Sequence, residues 1–336
     1  MSEQSAAILG CLGPRLRSDE RAFYADAQPW GFILFARNLE TPDQVKRLTD
    51  GLRDAVGRDA PILIDQEGGR VQRLGPPHWR QFMPPLDQMA AAGENGPRSM
   101  ELRAMLIAQE HVALGIDVNC SPMADIAEPG THPVLKNRCY GSDAGTVIAA
   151  AKAVARGLRA GGVSPVLKHI PGHGRAFVDS HLHLPVVEDH ADILRARDFA
   201  PFKALSDLKM GMSAHLVFTA FDAERPATQS PVMIDLIRNE IGFGGLLMTD
   251  DISMEALDGS LAERATASLQ AGCDMVLHCN GELPEMKEIV AASGRLDGKA
   301  LVRAEAALCD RPERKTIDIK AIEAELDALL DGKVYG

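Results

Sequence analysis

The 336-residue chain has no apolar run long enough to span a bilayer, so no membrane-crossing helix is expected. It also lacks an excess of basic residues. Its 36 Lys and Arg face 47 Asp and Glu, a net charge of −11, which argues against nucleic acid or an anionic membrane as the main partner. The six cysteines, Cys11, Cys120, Cys139, Cys273, Cys279 and Cys309, are scattered and form no CxxC pair. Neither a disulfide framework nor a zinc ribbon is suggested, and buried reduced thiols are expected instead. No GxGxxG follows the first apolar run and no GxxxxGK[ST] occurs, so nothing supports a nucleotide-binding fold. No long Pro/Ser/Gly linker and no repeat of fixed period divides the chain, and a single domain over residues 1–336 is expected.

What the chain does have is an alternation. Apolar runs recur at Ala6–Gly10, Gly31–Phe35, Pro61–Ile64, Ile116–Asn119, Val163–Leu167, Met210–Ala214, Gly245–Met248 and Asp274–Leu277. Most are continuously apolar, as strands buried on both faces of a parallel sheet should be. Thr41-Pro-Asp-Gln opens a helix with a capping hydroxyl and proline at its first position, and Gly57 fits its stop after Val56. Arg98–Leu114, Ser142–Arg159, Ala191–Ser206, Pro231–Asn239 and Leu261–Gln270 read as further helices, and the Ala/Leu-rich tail after Arg295 adds more. Eight strands alternating with helices predict an α/β fold, a (β/α)8 TIM-type barrel with extra C-terminal helices. Ile8-Leu9-Gly10-Cys11 imitates a lipoprotein cleavage box. No basic segment precedes it and its apolar stretch is too short, so Ala6–Gly10 reads as the first strand and a cytoplasmic location is expected.

One stretch concentrates chemistry. Between Lys168 and Pro185 lie Lys168, His169, His173, Asp179, His181 and His183, four of the chain's ten histidines among them. Pro171, Gly172, Gly174 and Pro185 forbid a regular element there, so the cluster reads as a loop launched from the fifth strand. The Gly172–Leu184 segment is expected to complete the site on binding. In a barrel, catalytic groups belong at the C-terminal strand ends. Asp65 ends the third run, with Glu67, Arg70 and Arg73 just beyond it. Asp125 and Arg138 lie in the loop beyond the fourth, while Lys168-His169 end the fifth, His215 the sixth, Asp250-Asp251 the seventh and His278 the eighth. Six strands would thus feed one mouth.

Three chemistries fit such a mouth. Glycoside hydrolysis needs a carboxylate facing the developing oxocarbenium ion and an acid for the departing oxygen. Asp250 or Asp251 could be the first, and only one should enter the site because adjacent strand residues face opposite ways. Asp179 and His181, at i and i+2, could face one way as the acid, the carboxylate favouring imidazolium. A metal-dependent hydrolase could use His181-Leu-His183 with His169, His215 and Asp250. That HxH, however, belongs on the first strand of such barrels and here follows the fifth. A sugar- or phosphate-binding barrel would leave the Asp–His pair and a strand-end Asp as idle charge.

Five segments carry a resemblance. They are Ile33-Leu-Phe-Ala-Arg-Asn38, Ile64-Asp-Gln-Glu-Gly-Gly-Arg-Val-Gln-Arg-Leu74, Lys168-His-Ile-Pro-Gly-His-Gly174, Asp179-Ser-His181 and Met248-Thr-Asp-Asp-Ile-Ser-Met254. Together they resemble the single-domain β-N-acetylglucosaminidases of bacterial glycoside hydrolase family 3. The resemblance implies a retaining mechanism with Asp250 as nucleophile, His181 as acid/base and Asp179 as its partner. It implies that Asp65, Arg73, Arg138, Lys168 and His169 grip the N-acetylglucosamine hydroxyls. It further implies a small-molecule muropeptide substrate, N-acetylglucosamine β-1,4-linked to 1,6-anhydro-N-acetylmuramic acid, in cytoplasmic peptidoglycan recycling. No metal, cofactor, nucleic acid or membrane is implied, and a monomer or weak homo-oligomer is expected. Ile170 stands where the family motif has Phe, a change expected to alter packing beneath the loop rather than chemistry. The chain ends too soon for the second domain of the larger members. A histidine acid repels phosphate less than a carboxylate would, so a phosphorylase remains the alternative to a hydrolase.

Overall fold

The computed structural model describes residues 2–176 and 184–333. Asp179, His181 and His183 fall outside the described residues, and with them the centre of the Gly172–Leu184 segment.

Eight barrel strands follow the predicted alternation: β1 (Ser5–Leu9), β2 (Pro29–Leu34), β3 (Ile62–Ile64), β4 (Val118–Asn119), β5 in two pieces (Ser164–Pro165 and Leu167–Ile170), β6 (Met210–Ser213), β7 (Leu246–Asp251) and β8 (Met275–His278). All neighbours are parallel, and β1 pairs both with β2 and with β8. The first piece of β5 pairs with β4 and the second with β6, so the two ends of the sheet are one strand and the ring closes through it. Residue parity then sorts the apolar runs. Ala6 and Ile8 pack in the barrel lumen with Ile33, Leu63, Val118, Leu246, Met248 and Met275. Ala7 and Leu9 pack outward against the helices. Every residue of β1 is buried, which is why the run carries no alternating polar pattern.

The helix Pro42–Val56 has the predicted bounds. Thr41 Oγ1 accepts from the Gln44 amide at 3.3 Å, and Gly57 closes it at φ 65°. Gly96–Ala113, Ala144–Ala160 and Leu261–Ala271 match their predicted helices within a residue or two, and Gly298–Cys309 and Ile319–Leu329 form the tail. The predicted helix Ala191–Ser206 is broken into Ala191–Ile193, a π turn Leu194–Asp198 and Ala200–Ala204. Pro201 is the physical reason, since it has no N–H to give residue 197 and crowds its carbonyl. Pro231–Asn239 likewise ends as a helix at Asp235 and continues as a π turn. Helices Ser18–Ala27 and Leu283–Ser293, after β1 and β8, were not foreseen. The first buries only Glu20, Tyr24 and Ala27, too little apolar surface to show as a periodic stripe.

Two other expectations are corrected. Lys168 and His169 belong to the end of β5, and the loop of the histidine cluster begins only after them, because pairing with β6 carries the strand on to Ile170. Cys309 is exposed, at the end of a peripheral helix, while the other five thiols are buried. Ile170, the departure from the family motif, is buried in the layer between strands and helices, away from the lumen.

Candidate active site

The site is assembled by strand parity at the C-terminal end of the barrel. On β7, Leu246 and Met248 face the lumen, so Asp250 faces it one step higher. Asp251 turns the other way. Its carboxylate accepts from the Ser253 amide (3.1 Å), the Ser253 hydroxyl (2.8 Å) and the Cys279 amide (3.2 Å), tying β7 to the end of β8. Of the adjacent pair, Asp250 alone lines the cavity at the barrel mouth, a space of about 160 Å³.

Asp65 follows β3 directly. Beyond it, Gln66–Gly68 and Val71–Gln72 form a tight antiparallel hairpin. Asn119, at the end of β4, grips Gln66 through both its amide (3.1 Å) and its carbonyl (3.0 Å). The Gln66 side chain in turn accepts from the amides of Arg73 (2.8 Å) and Leu74 (3.0 Å). The hairpin is thereby folded back so that Arg73 meets Asp65, eight residues earlier, at 3.4 Å. At Gly68, φ is 100° and the Arg103 guanidinium occupies the space a Cβ would need, so only glycine fits.

Lys168 rises from β5 into this cluster and is buried. Its Nζ donates to Asp65 Oδ1 and lies equally close to Glu67 Oε1, both at 2.7 Å. Glu67 also accepts a two-pronged bond from Arg138, at 2.9 and 2.7 Å. Two carboxylates, Asp65 and Glu67, thus share three cations, Arg73, Arg138 and Lys168, in a largely buried floor. Burial alone would push the Glu67 carboxyl up, but the charges of Arg138 and Lys168 hold it well below the usual carboxylate range. Asp65 is lowered in the same way, burial being outweighed by Lys168 and Arg73. Burial opposes the charge on Lys168, yet Asp65 and Glu67 raise its ammonium above the ordinary value.

His169 stands beside Lys168, and its Nδ1–H donates to Asp125 at 2.7 Å. Asp125 also accepts the His173 amide at 2.6 Å. With Nδ1 engaged, Nε2 of His169 is the nitrogen left for the cavity. Burial would raise the Asp250 carboxyl, but neighbouring His169 and His215 lower it to about 2. Asp250 is therefore ionised at neutral pH. Its Oδ1 accepts the Asp251 amide at 2.8 Å, and among the described residues no hydrogen bond reaches Oδ2.

Six sequence-predicted residues, Asp65, Arg73, Arg138, Lys168, His169 and Asp250, thus line one cavity. Asp179 and His181 lie outside the described residues. The eighth-strand contribution is a correction. His278 is buried away from this cavity, with Nε2 3.3 Å from Glu285, because strand parity at the end of β8 turns it from the lumen. His215 does not line the cavity either. Its Nε2–H donates to the Asp251 carbonyl (3.1 Å) and Nδ1 lies 2.9 Å from Thr228 Oγ1, leaving no nitrogen for a metal. Glu67 and Asp125, which the sequence places near the mouth without assigning them a role, hold the cluster together. Glu67 was visible as an acid enclosed in Gln66-Glu-Gly-Gly69, a segment too glycine-rich to be an exposed helix turn.

One prediction arises from the floor. Glu67→Gln should destabilise the protein by about 3 kcal/mol at neutral pH, the cost of leaving buried cations without their counter-charge. A carboxyl whose folded-state value is depressed contributes stability above its unfolded value and loses it as pH falls through the folded one. The difference between wild type and variant in urea unfolding should therefore shrink as the solution is acidified. A difference independent of pH would contradict the pairing.

Known proteins resemble this chain over most of its length. Residues 3–307 match the family described as "Glycosyl hydrolase family 3 N terminal domain". A protein of Methylococcus capsulatus named "Beta-hexosaminidase" is 38% identical over 306 residues, covering 89% of this chain and 90% of its own. Another of that name from Stenotrophomonas maltophilia is 35% identical over 297 residues, covering 86% and 87%. The crystal structure of NagZ from Neisseria gonorrhoeae in complex with N-trifluoroacetyl-D-glucosamine superposes with a TM-score of 0.83 at 28% identity, over 98% of both chains. The α/β barrel, the mouth lined by Asp250 and the match across 3–307 lead to one statement: the chain belongs to glycosyl hydrolase family 3.

Proposed function

We propose that the chain is a retaining β-N-acetylhexosaminidase that releases N-acetylglucosamine from β-1,4-linked muropeptide fragments of the N-acetylglucosaminyl-1,6-anhydro-N-acetylmuramic acid type. The observation that carries the reading is Asp250. It is ionised, faces the lumen at the end of β7, and shares its cavity with the paired Asp65, Lys168 and Arg138. The names of the relatives and the sugar analogue in the Neisseria structure support the sugar class.

In this reading Asp250 Oδ2 attacks the anomeric carbon as the glycosidic C–O bond breaks, forming a glycosyl ester. His181, charged by Asp179, gives its proton to the departing oxygen. It then takes one from the water that hydrolyses the ester, restoring both residues and releasing the sugar with its configuration retained. Asp65 and His169 Nε2 accept from sugar hydroxyls, while Arg73, Arg138 and Lys168 donate to them. The substrate is a small molecule, and its cytoplasmic origin in peptidoglycan recycling belongs to the same proposal.

Turnover of an aryl β-N-acetylglucosaminide, with and without inorganic phosphate, tests the reaction. The expected product is free N-acetylglucosamine in both arms, and dialysis against a strong chelator should leave the rate intact. Accumulation of N-acetylglucosamine 1-phosphate would make the enzyme a phosphorylase, and loss of activity restored by zinc would revive a metal-dependent hydrolase.

A further inference from the structure

The segment Phe35-Ala-Arg37-Asn38, at the end of β2, has no part in the reaction just described, yet the molecule holds it firmly. Asn38 is buried. Its side-chain amide donates to the carbonyls of Cys11 and Gly13 (3.0 Å each), and its side-chain oxygen accepts the Phe35 amide (2.8 Å). Arg37 donates from Nε to the Cys11 carbonyl (3.0 Å) and from a terminal nitrogen to the Cys279 carbonyl, bridging the ends of β1 and β8. Gly10 makes room for that bridge, since a Cβ there would collide with the Cys279 carbonyl. The result is a short 3-10 turn anchored to backbone, with the Phe35 ring half-buried at its start.

Two guanidinium carbons lie over that ring, Arg37 at 5.2 Å and Arg73 at 5.1 Å from its centroid. Both distances fall within the reach of a cation–π attraction. Arg73 is otherwise weakly held. Its contact with Asp65 is long, at 3.4 Å, and its buried Nε has no hydrogen-bond partner among the described residues. An arginine kept to grip a ligand needs donors that are free and a plane that is fixed. Stacking supplies the second without consuming the first.

We propose that Phe35 is a positioning residue: its ring, locked by Arg37 and Asn38, is the shelf on which Arg73 is held ready for the sugar. The inference rests on the reading of Arg73 as a sugar contact and extends the site by a residue that touches no substrate.

The test replaces Phe35 with 4-fluoro- and 3,4,5-trifluorophenylalanine, which keep nearly the same shape while draining the ring face of negative potential. Phe35→Leu and Phe35→Tyr accompany them. Affinity for N-acetylglucosamine is measured by calorimetry, with KM and kcat for an aryl β-N-acetylglucosaminide. Affinity should fall stepwise with fluorination. Phe35→Leu should weaken it about fivefold to tenfold, mostly in KM, and Phe35→Tyr should restore it. In an Arg73→Ala background, Phe35→Leu should cost nothing further, because the contact it serves is already gone. A flat fluorination series, or full additivity of the two substitutions, would overturn the shelf. Unchanged affinity in Arg73→Ala alone would overturn the sugar-contact reading beneath it, a result distinguishable because it involves no change at Phe35.

Discussion

Replacing Asp250 by alanine should lower turnover of a β-N-acetylglucosaminide by at least about a thousandfold, the scale of losing a covalent catalyst. Asp251→Ala should be milder, and of another kind. The Asp251 carboxylate is occupied by Ser253 and the Cys279 amide, so its loss should appear mainly in stability. The bond that Oδ1 of Asp250 accepts comes from the backbone of residue 251 and survives that substitution. Both variants are to be compared in single-turnover kinetics and urea unfolding. Equal kinetic losses, or the reverse order, would contradict the assignment. The environment of Asp250 makes a second demand. A carboxyl held at about 2 is already ionised throughout the ordinary working range. An acid limb in kcat/KM above about pH 4 must then belong to another group.

The second large effect is expected at His181. A general acid matters most when the leaving group is poor. His181→Ala should nearly abolish cleavage of the natural disaccharide, yet hurt the glycosylation step of a dinitrophenyl glycoside far less. The alkaline limb of the pH profile should follow the same residue, since the histidine must be protonated to give its proton. Asp179→Asn removes the anion that favours imidazolium, so it should move that limb to lower pH. Uniform loss across leaving groups, or an alkaline limb indifferent to both substitutions, would remove these two residues from the acid's role.

Much of the barrel was legible because its signals are local. Continuous apolar runs mark strands buried on both faces, and Thr41, Pro42 and Gly57 bound their helix by capping chemistry alone. The alternation of β7 tells from sequence that only one of Asp250 and Asp251 enters the mouth, and the lumen-facing Leu246 and Met248 show that it is Asp250. The signals fail where distant parts decide. The extension of β5 through Lys168 and His169 depends on pairing with β6. Glu67 and Asp125 become central only once Arg138, Lys168 and His169 arrive from elsewhere in the chain. His278 has the right residue type at a strand end but the wrong parity for the lumen, a distinction that needs the strand's true last residue. The break in the Ala191–Ala204 helical stretch has a local signal in Pro201, which the segment's apolar period masks.

The central claim is covalent catalysis by Asp250, and it is tested most directly by trapping the glycosyl ester. A 5-fluoro-N-acetylglucosaminyl fluoride retains the 2-acetamido group, keeps a good leaving group and slows hydrolysis of the ester by destabilising its oxocarbenium-like transition state. Intact-protein mass spectrometry should show one added sugar, and peptide mapping should locate it on Asp250. No adduct despite turnover of the reagent, or an adduct on any other residue, would contradict the account.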